Sequence, residues 1–290
     1  MDVIMKKISL IIVTYNSLHL IFDCLDSVFK YNDIGDGLEV LIVDNDSSQC
    51  TEMFNKIESI YGNRVKLIKS DKNGGYGYGN NIGIRASQAD KVVVMNPDVR
   101  FVSPILSSVI EVLNDAKIGM IGVDFVDGSS PYYFKRGHSS LFRSLFAKYF
   151  IWRRKYDANE MYMSGSFLAF NKQAFLNAGM FDDNLFMYSE EADITNRMLS
   201  SGYEVKWCPN IKVLHLAHGR DFNPVLDKIR LESGAYYEKK YGIDSEKSYK
   251  LSVQALTIRY WIAKLLMKKT RAKNYSLMLD SLVKFHKEPR

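Results

Sequence analysis

The sequence predicts an α/β fold with a mainly parallel central sheet flanked by helices, followed by a helical C-terminal extension. Three observations carry this. Short β-branched apolar runs alternate with helix-period segments between residues 8 and 96; polar residues gather at the carboxyl ends of those runs; and residues 251–290 turn basic at helical spacing. With 290 residues, 47% hydrophobic and 25% charged, the chain can bury one large core and carry a small appendage. The expected division is residues 1–218 and 219–290, the first with halves of about 1–100 and 101–218.

Residues 8–14 (ISLIIVT) read as a strand buried on both faces, and residues 18–30, with Leu18, Ile21, Phe22, Leu25, Val28 and Phe29 at helical spacing behind Ser17, as the helix that follows. Residues 38–45 (LEVLIVDN) give a second strand, 49–61 a second helix, 65–70 a third strand and 91–96 (KVVVMN) a fourth. Such a βαβαβαβ order implies right-handed crossovers. Further on, residues 103–116 read as a helix, 118–126 as a strand, 163–179 as a strand running into a helix, and 190–199 as a helix opened by acids, where the helix dipole favours negative charge. Residues 126–160 show no clear period.

Ligands of open α/β sheets bind at the carboxyl ends of strands. Here those ends carry Thr14, Tyr15 and Asn16; Asp44, Asn45 and Asp46; the glycine-rich stretch 70–84 (SDKNGGYGYGNNIGI); and Asn96, Pro97 and Asp98. Glycines at Gly74, Gly75, Gly77 and Gly79 permit close approach of backbone to a ligand, and a helix starting near Asn80 would point free N–H groups outward. The stretch is neither a dinucleotide fingerprint, since Ile82 stands where the third glycine belongs, nor a phosphate-cradling loop with Lys-Ser/Thr.

The net charge of +6 permits anionic partners without choosing among them. Three separated cysteines, Cys24, Cys50 and Cys208, argue against a disulfide framework or a cysteine metal site and fit a reducing, cytoplasmic setting. The apolar run from Ile8 to Val13 is too short for a signal peptide, and no run approaches the roughly 18–20 residues of a membrane span, so an integral protein is not expected.

Taken in order, SLIIVTYNS, LIVDNDSS, NGGYGYGNNIG, VVVMNPDV, MSGSFLAF and FDDNLFMYSEEADITNR resemble the successive motifs of bacterial family 2 glycosyltransferases of the GT-A fold, over roughly residues 7–218. The Asn-Gly-Gly-Tyr-Gly and Asn-Pro-Asp versions are similar to those of the rhamnosyltransferase branch. The resemblance implies a metal-dependent, inverting hexosyltransferase. Asp44 would accept N3–H of a pyrimidine base, Thr14, Tyr15 and Asn16 would line the base and ribose pocket with Asp46 behind, and Asn73, Gly74, Gly75, Tyr76, Gly77 and Asn80 (or Asn81) would approach the donor nucleotide. Asn96 would face the donor ribose or sugar, while Asp98 would hold Mg²⁺ or Mn²⁺ on the diphosphate, aided by His215 or its rival His218. Asn96 replaces the first acid of the family's DxD motif. Gly165 and Ser166 would floor the sugar and acceptor; Glu191, with Glu190 as competitor, would be the base; Asp193 reads as a structural partner of Arg197. Two carboxylates also suit a glycosidase, which leaves the acids on strands two and four unexplained.

Residues 251–290 hold nine Lys or Arg against two acids, with Leu251, Ala255, Ile258, Ile262, Leu265, Met278, Leu279, Leu282 and Val283 at helical spacing. That composition fits an interfacial helix on an anionic membrane, and equally a docked helical hairpin or a homodimer seam; no nucleic-acid motif accompanies it. The reading is a peripheral transferase at the inner membrane face that moves L-rhamnose from dTDP-L-rhamnose to a lipid-linked saccharide in O-antigen (lipopolysaccharide), capsule or other cell-surface polysaccharide biosynthesis. Alternatives are a UDP-sugar transferase, galactofuranosyl or glucosyl, and a non-catalytic nucleotide-sugar binding or scaffold protein.

Overall fold

A computed structural model describes residues 6–135, 149–150, 152–216 and 222–287. They fall into two compact units: one within Met1–Tyr133, Asp157–Phe186 and Glu190–Ala217, the other within Phe134–Tyr156, Met187–Ser189 and His218–Arg290. A single break at residue 218 does not foresee the two short segments that the second unit takes.

In the first unit, β1 (Ile8–Thr14), β2 (Leu38–Asp44), β3 (Val65–Lys69) and β4 (Lys91–Met95) pair in parallel in the order β3-β2-β1-β4. Helices α1 (Leu18–Lys30), α2 (Cys50–Tyr61) and α3 (Gly75–Ala86) connect them. β2 is buried at every position, and six of the seven residues of β1 are buried, as apolar runs without alternation demand. Ser17 occupies the α1 cap position, although its hydroxyl donates to the Tyr15 carbonyl rather than accepting from the helix. Near the start of β2 a buried acid, Glu39, lies inside this apolar sheet. Glu39, in register with Ser9, accepts from the Ser9 hydroxyl at 2.5 Å and from Gln88 N–H at 2.8 Å, which compensates its burial.

Beyond β4 the sheet is mixed. After β5 (Val99–Phe101), α4 (Leu106–Leu113) and β6 (Ile118–Phe125), a two-stranded pair forms from β7 (Tyr132–Phe134) and β8 (Met161–Met163). Then β9 (Phe167–Asn171) inserts antiparallel between β4 and β6, and β10 (Glu204–His215) runs parallel to β6 and antiparallel to β5. The βαβαβαβ expectation for residues 8–96 thus holds, and the sheet as a whole is mainly parallel, with three antiparallel pairings in its second half. The strands of that half pair out of sequence order, and β10 breaks register between Cys208 and Lys212, where Pro209 has no N–H to give the ladder. Helices α5 (Lys172–Asn177), capped by the Asn171 side chain, and α6 (Glu190–Ser200) complete the unit.

The expected helix start near Asn80 is also corrected. α3 begins at Gly75, and its first N–H groups are already used: Gly75 N donates to Asn73 Oδ1 at 3.1 Å and Tyr76 N to the Phe186 carbonyl at 2.8 Å. Packing alone demands a glycine at Gly75 and Gly83. Gly75 has φ +89°, and a Cβ on it would lie 1.9 Å from the Phe186 carbonyl oxygen; one on Gly83 would lie 2.4 Å from Ile11.

The second unit contains α7 (Pro224–Lys240), α8 (Ser245–Leu265) and α9 (Lys269–Lys287). Asn223 and Asp244 cap the first two through their side chains. Leu231, Leu256 and Leu282 form the centre of their apolar cluster, with Met278, Leu279, Tyr249 and Tyr275 packed on it. Three of the apolar positions expected on a lipid face, Met278, Leu279 and Leu282, therefore meet other helices, while Ile258, Ile262 and Leu265 stay exposed. No helix among the described residues is long and apolar enough to cross a membrane.

Candidate active site

Sheet order brings the carboxyl ends of β2, β1 and β4 side by side. Thr14 and Asp44 are register partners, and the Thr14 hydroxyl donates to Asp44 at 3.0 Å. Ser47 adds its N–H at 2.8 Å and its hydroxyl at 2.6 Å, so the fully buried Asp44 carboxylate is already held by three donors. Beyond it, Asn16 (φ 52°) and Asp46 (φ 65°) take left-handed backbone, and both are exposed beside the exposed Tyr15 ring. Asn16 ties the two loops together: its N–H donates to the Ser47 hydroxyl at 2.8 Å and its side-chain oxygen accepts from Ser48. Gly75, Gly77 and Asn80 are buried, Asn80 donating to the Tyr76 carbonyl, whereas Asn73 and Gly74 are half-buried. Asn81 donates to Asp183 and the Phe181 carbonyl, a packing role.

After β4, Asn96-Pro97-Asp98 forms a turn braced by the buried Arg100, which donates to the Pro97, Val99 and Leu20 carbonyls. Sequence reasoning missed Arg100, for a lone arginine after a turn carries no signal. Asp98 Oδ2 stands 3.6 Å from His215 Nε2 at the end of β10, each side chain about 15% exposed. The pair expected from sequence is thus brought together, while His218 lies outside the described residues.

The segment 164–166, just before β9, joins this turn to the acids. The Ser166 carbonyl accepts from Asn96 N–H at 3.0 Å, and its hydroxyl sits 3.1 Å from His215 Nε2 and 3.1 Å from the Ser164 hydroxyl. Gly165 N–H donates to Glu191 Oε1 at 3.1 Å, and the Gly165 carbonyl accepts from the Tyr76 hydroxyl at 2.6 Å. Four separate elements, α3, the turn after β4, α6 and β10, therefore meet on these three residues.

Glu190 and Glu191 open α6. Glu190 is buried, its Oε2 without a hydrogen-bond partner among the described residues, and burial followed by the adjacent Glu191 charge pushes its carboxyl well above the usual range. Burial also pushes Glu191 up, against the pull of its own N–H and that of Gly165. An acid poised upward is a better base near neutral pH. Asp193 is locked to Arg197, with Oδ2 2.6 Å from Nη2 and 2.9 Å from Nε, as the helical spacing implied. Tyr133, 45% exposed, packs on Tyr162 at 5.8 Å, and the Glu191 charge helps raise its hydroxyl's pKa after burial. It lies in the stretch whose period was unreadable, so nothing in the sequence marked it.

For a divalent cation, Asp98 and His215 could offer one oxygen and one nitrogen ligand, and no group of three or more His, Cys, Asp or Glu arranged to hold a metal ion occurs among the described residues. His215 Nδ1 is buried without a hydrogen-bond partner among those residues, so the ring is not committed elsewhere through that atom. A sparse donor set of this kind fits Mg²⁺ or Mn²⁺, which complete their shells with phosphate and water.

A model of the family described as "Glycosyl transferase family 2" matches residues 9–178. The low-salt glycan biosynthesis hexosyltransferase Agl10 of Haloferax volcanii is 24% identical over 242 residues, 79% of this chain and 71% of that one. The N-acetylglucosaminyl-diphospho-decaprenol L-rhamnosyltransferase of Mycobacterium tuberculosis is 28% identical over 215 residues, 63% of this chain and 69% of that one. In structure, the mannosyltransferase PcManGT of Pyrobaculum calidifontis, solved with GDP-Man and Mn²⁺, aligns with a TM-score of 0.65 at 17% identity, covering 99% of this chain and 91% of that one.

Proposed function

The chain belongs to glycosyl transferase family 2, and from that premise we propose that it transfers a hexose from a pyrimidine nucleotide donor, with inversion, to a lipid-linked saccharide. One observation carries this reading: a single three-residue segment, 164–166, binds the raised carboxyl of Glu191 on one side and the turn bearing Asp98, with His215, on the other. A base and a diphosphate site held in one frame are what a single displacement at an anomeric carbon needs.

In that displacement the acceptor hydroxyl oxygen bonds to the anomeric carbon as the bond to the diphosphate breaks. The hydroxyl proton goes to Glu191, and the leaving diphosphate keeps the electron pair. The buried Glu190 has its carboxyl pushed well above the usual range by burial and by the Glu191 charge, which makes Glu191 the better placed of the two to act as base. Gly165 N–H fixes the aim of Glu191, and the Tyr76 hydroxyl fixes Gly165. Asp98 and His215 would hold Mg²⁺ or Mn²⁺, whose charge offsets that of the departing diphosphate. Tyr15, Asn16, Asp46, Asn73, Gly74 and Asn96 offer the donor's base, ribose and sugar their polar and aromatic contacts, and Asp44 with Thr14 supports them from below. Tyr133 offers the acceptor an aromatic wall.

The donor best supported is dTDP-L-rhamnose, from the motif resemblance and from the name of the mycobacterial relative; UDP-galactofuranose and UDP-glucose are the rivals. That relative's name also supports a polyprenyl-diphosphate-linked acceptor; the motif resemblance suggests a place in O-antigen, capsule or other cell-surface polysaccharide synthesis, and the basic composition of residues 251–290 suggests that they face an anionic cytoplasmic membrane surface. The test is a thermal-shift panel of dTDP-rhamnose, UDP-galactose, UDP-glucose, GDP-mannose and NAD, each with and without Mn²⁺. A metal-dependent shift with one pyrimidine nucleotide sugar is expected, and a shift with NAD alone rejects the reading. Release of nucleotide diphosphate by wild type but not by Glu191→Gln distinguishes an enzyme from a binding scaffold.

A further inference from the structure

The α8–α9 hairpin carries a feature that the packing of the second unit does not use. Trp261, Ile262, Leu265, Leu266 and Met267, at the end of α8 and in the turn, are 59%, 48%, 82%, 56% and 85% exposed. Elsewhere on the same helices, Leu256 and Leu282 are less than a tenth exposed, so the helices bury apolar residues where they meet and leave this end bare. Met267 also lines an open cavity of about 520 Å³ whose apolar wall includes Ala263, Ala272 and Leu277, with Lys264, Lys269 and Lys273 around it. Between residues 258 and 273 there are six Lys or Arg and no acid.

We propose that this hairpin end is a binding site for an anionic bilayer phospholipid: its phosphate is met by the exposed Lys264, Lys269 and Lys273 around the cavity while Trp261, Leu265, Leu266 and Met267 enter the acyl boundary. The inference rests on the reading that the chain works at a membrane and gives that reading a place. An apolar end ringed by cations matches the two layers of a leaflet, hydrocarbon below and phosphate above. Tryptophan suits the level between them, and lysines on long stems reach back to the headgroups. Lys264 already spreads its stem over the Tyr260 and Trp261 rings, with Nζ 5.2 Å and 5.3 Å from their centres. A second copy of the chain fits this end poorly, because it would bring six more cations against the first six.

The test is flotation of the full-length protein with phosphatidylcholine vesicles, with and without phosphatidylglycerol, using wild type, Leu265→Glu/Met267→Glu, Lys264→Gln/Lys269→Gln/Lys273→Gln, and a control with the same charge change at the other end of the hairpin, Lys247→Gln/Lys250→Gln/Lys284→Gln. Wild type should float only with phosphatidylglycerol. The lysine triple should lose on the order of 100-fold in affinity, the Leu265/Met267 double at least tenfold, and the control much less, all with unchanged melting temperatures. Failure of wild type to float overturns the membrane reading and this site with it. If wild type floats and the lysine triple falls no further than the control, net charge suffices and the site is rejected while the membrane reading stands. If the hairpin variants convert a dimer to a monomer in sedimentation without vesicles, the end is a self-association seam, and the proposal fails.

Discussion

Gly165 gives the sharpest test of the active-site assignment. A Cβ placed there would lie 2.6 Å from Glu191 Oε1, 3.1 Å from its Cγ and 3.2 Å from its Cδ. Ordinary contact begins at 3.4 Å, so in Gly165→Ala the carboxylate must retreat by the difference between 3.4 and 2.6 Å, about 0.8 Å. Because Gly165 is not among the residues of positive φ, and the atom that must move is the end of a side chain, stability should change by less than about 1 kcal/mol. The base, however, loses its aim, and displacement of a catalytic group by roughly 1 Å costs on the order of 100-fold in rate. The assay is nucleotide diphosphate release at saturating donor and acceptor, beside a thermal melt. The control is Gly75→Ala, where φ +89° and the Phe186 carbonyl at 1.9 Å demand backbone movement, so that variant should lose several kcal/mol of stability, on the order of 2–4. Turnover of Gly165→Ala within twofold of wild type would refute the claim that Gly165 positions a catalytic Glu191.

Tyr76→Phe removes the donor to the Gly165 carbonyl and should cost about 1–3 kcal/mol in denaturant melts, with a fall in kcat but little change in donor KM. Glu190 has a folded pKa raised above its usual 4.5, so its contribution is intact below that value and is lost as pH rises towards the raised pKa. Glu190→Gln should therefore melt higher than wild type near neutral pH, with the difference closing as pH falls towards 4.5; equal profiles reject a strained, buried acid. Since Glu191 is raised as well, the acid limb of the wild-type kcat profile should lie above 4.5, and a limb at or below that value would reject Glu191 as the base. Asp98→Ala should abolish the Mn²⁺-dependent part of the nucleotide-sugar thermal shift; a full Mn²⁺ effect in that variant would move the metal elsewhere.

Strands β1, β2 and β4 were legible because each is a short apolar run with almost no alternation, the pattern of a doubly covered parallel sheet, whereas β3, with Lys66 and Lys69, was read from its place in the βαβ order. The order of the later strands was not, because pairing in register with a distant strand leaves no local trace: β9 reads the same whether it is parallel or antiparallel to β4. The glycine run shows a different gap. Its residues signalled close approach, and close approach is what the structure has, but the neighbours are Phe186, Phe181, Val13 and Ile11 of the protein itself. Composition says that something must come near a glycine; it does not say what. The pairing of Asp98 with His215 across more than a hundred residues came from the motif order of the family resemblance, since neither residue is distinctive alone.

The place of β9 bears on how the protein is made. Strands β3, β2, β1 and β4 are complete once residue 95 has left the ribosome, yet the strand that covers the free edge of β4 arrives only with residues 167–171. During the synthesis of some seventy intervening residues, roughly 4 to 14 s at ordinary elongation rates, the nascent half-sheet presents an open, apolar strand edge of the kind that recruits other chains. Codon usage between β4 and β9, and chaperone supply, should therefore govern the soluble yield more than any substitution in the finished core. Circular permutants that bring β9 forward would shorten that interval.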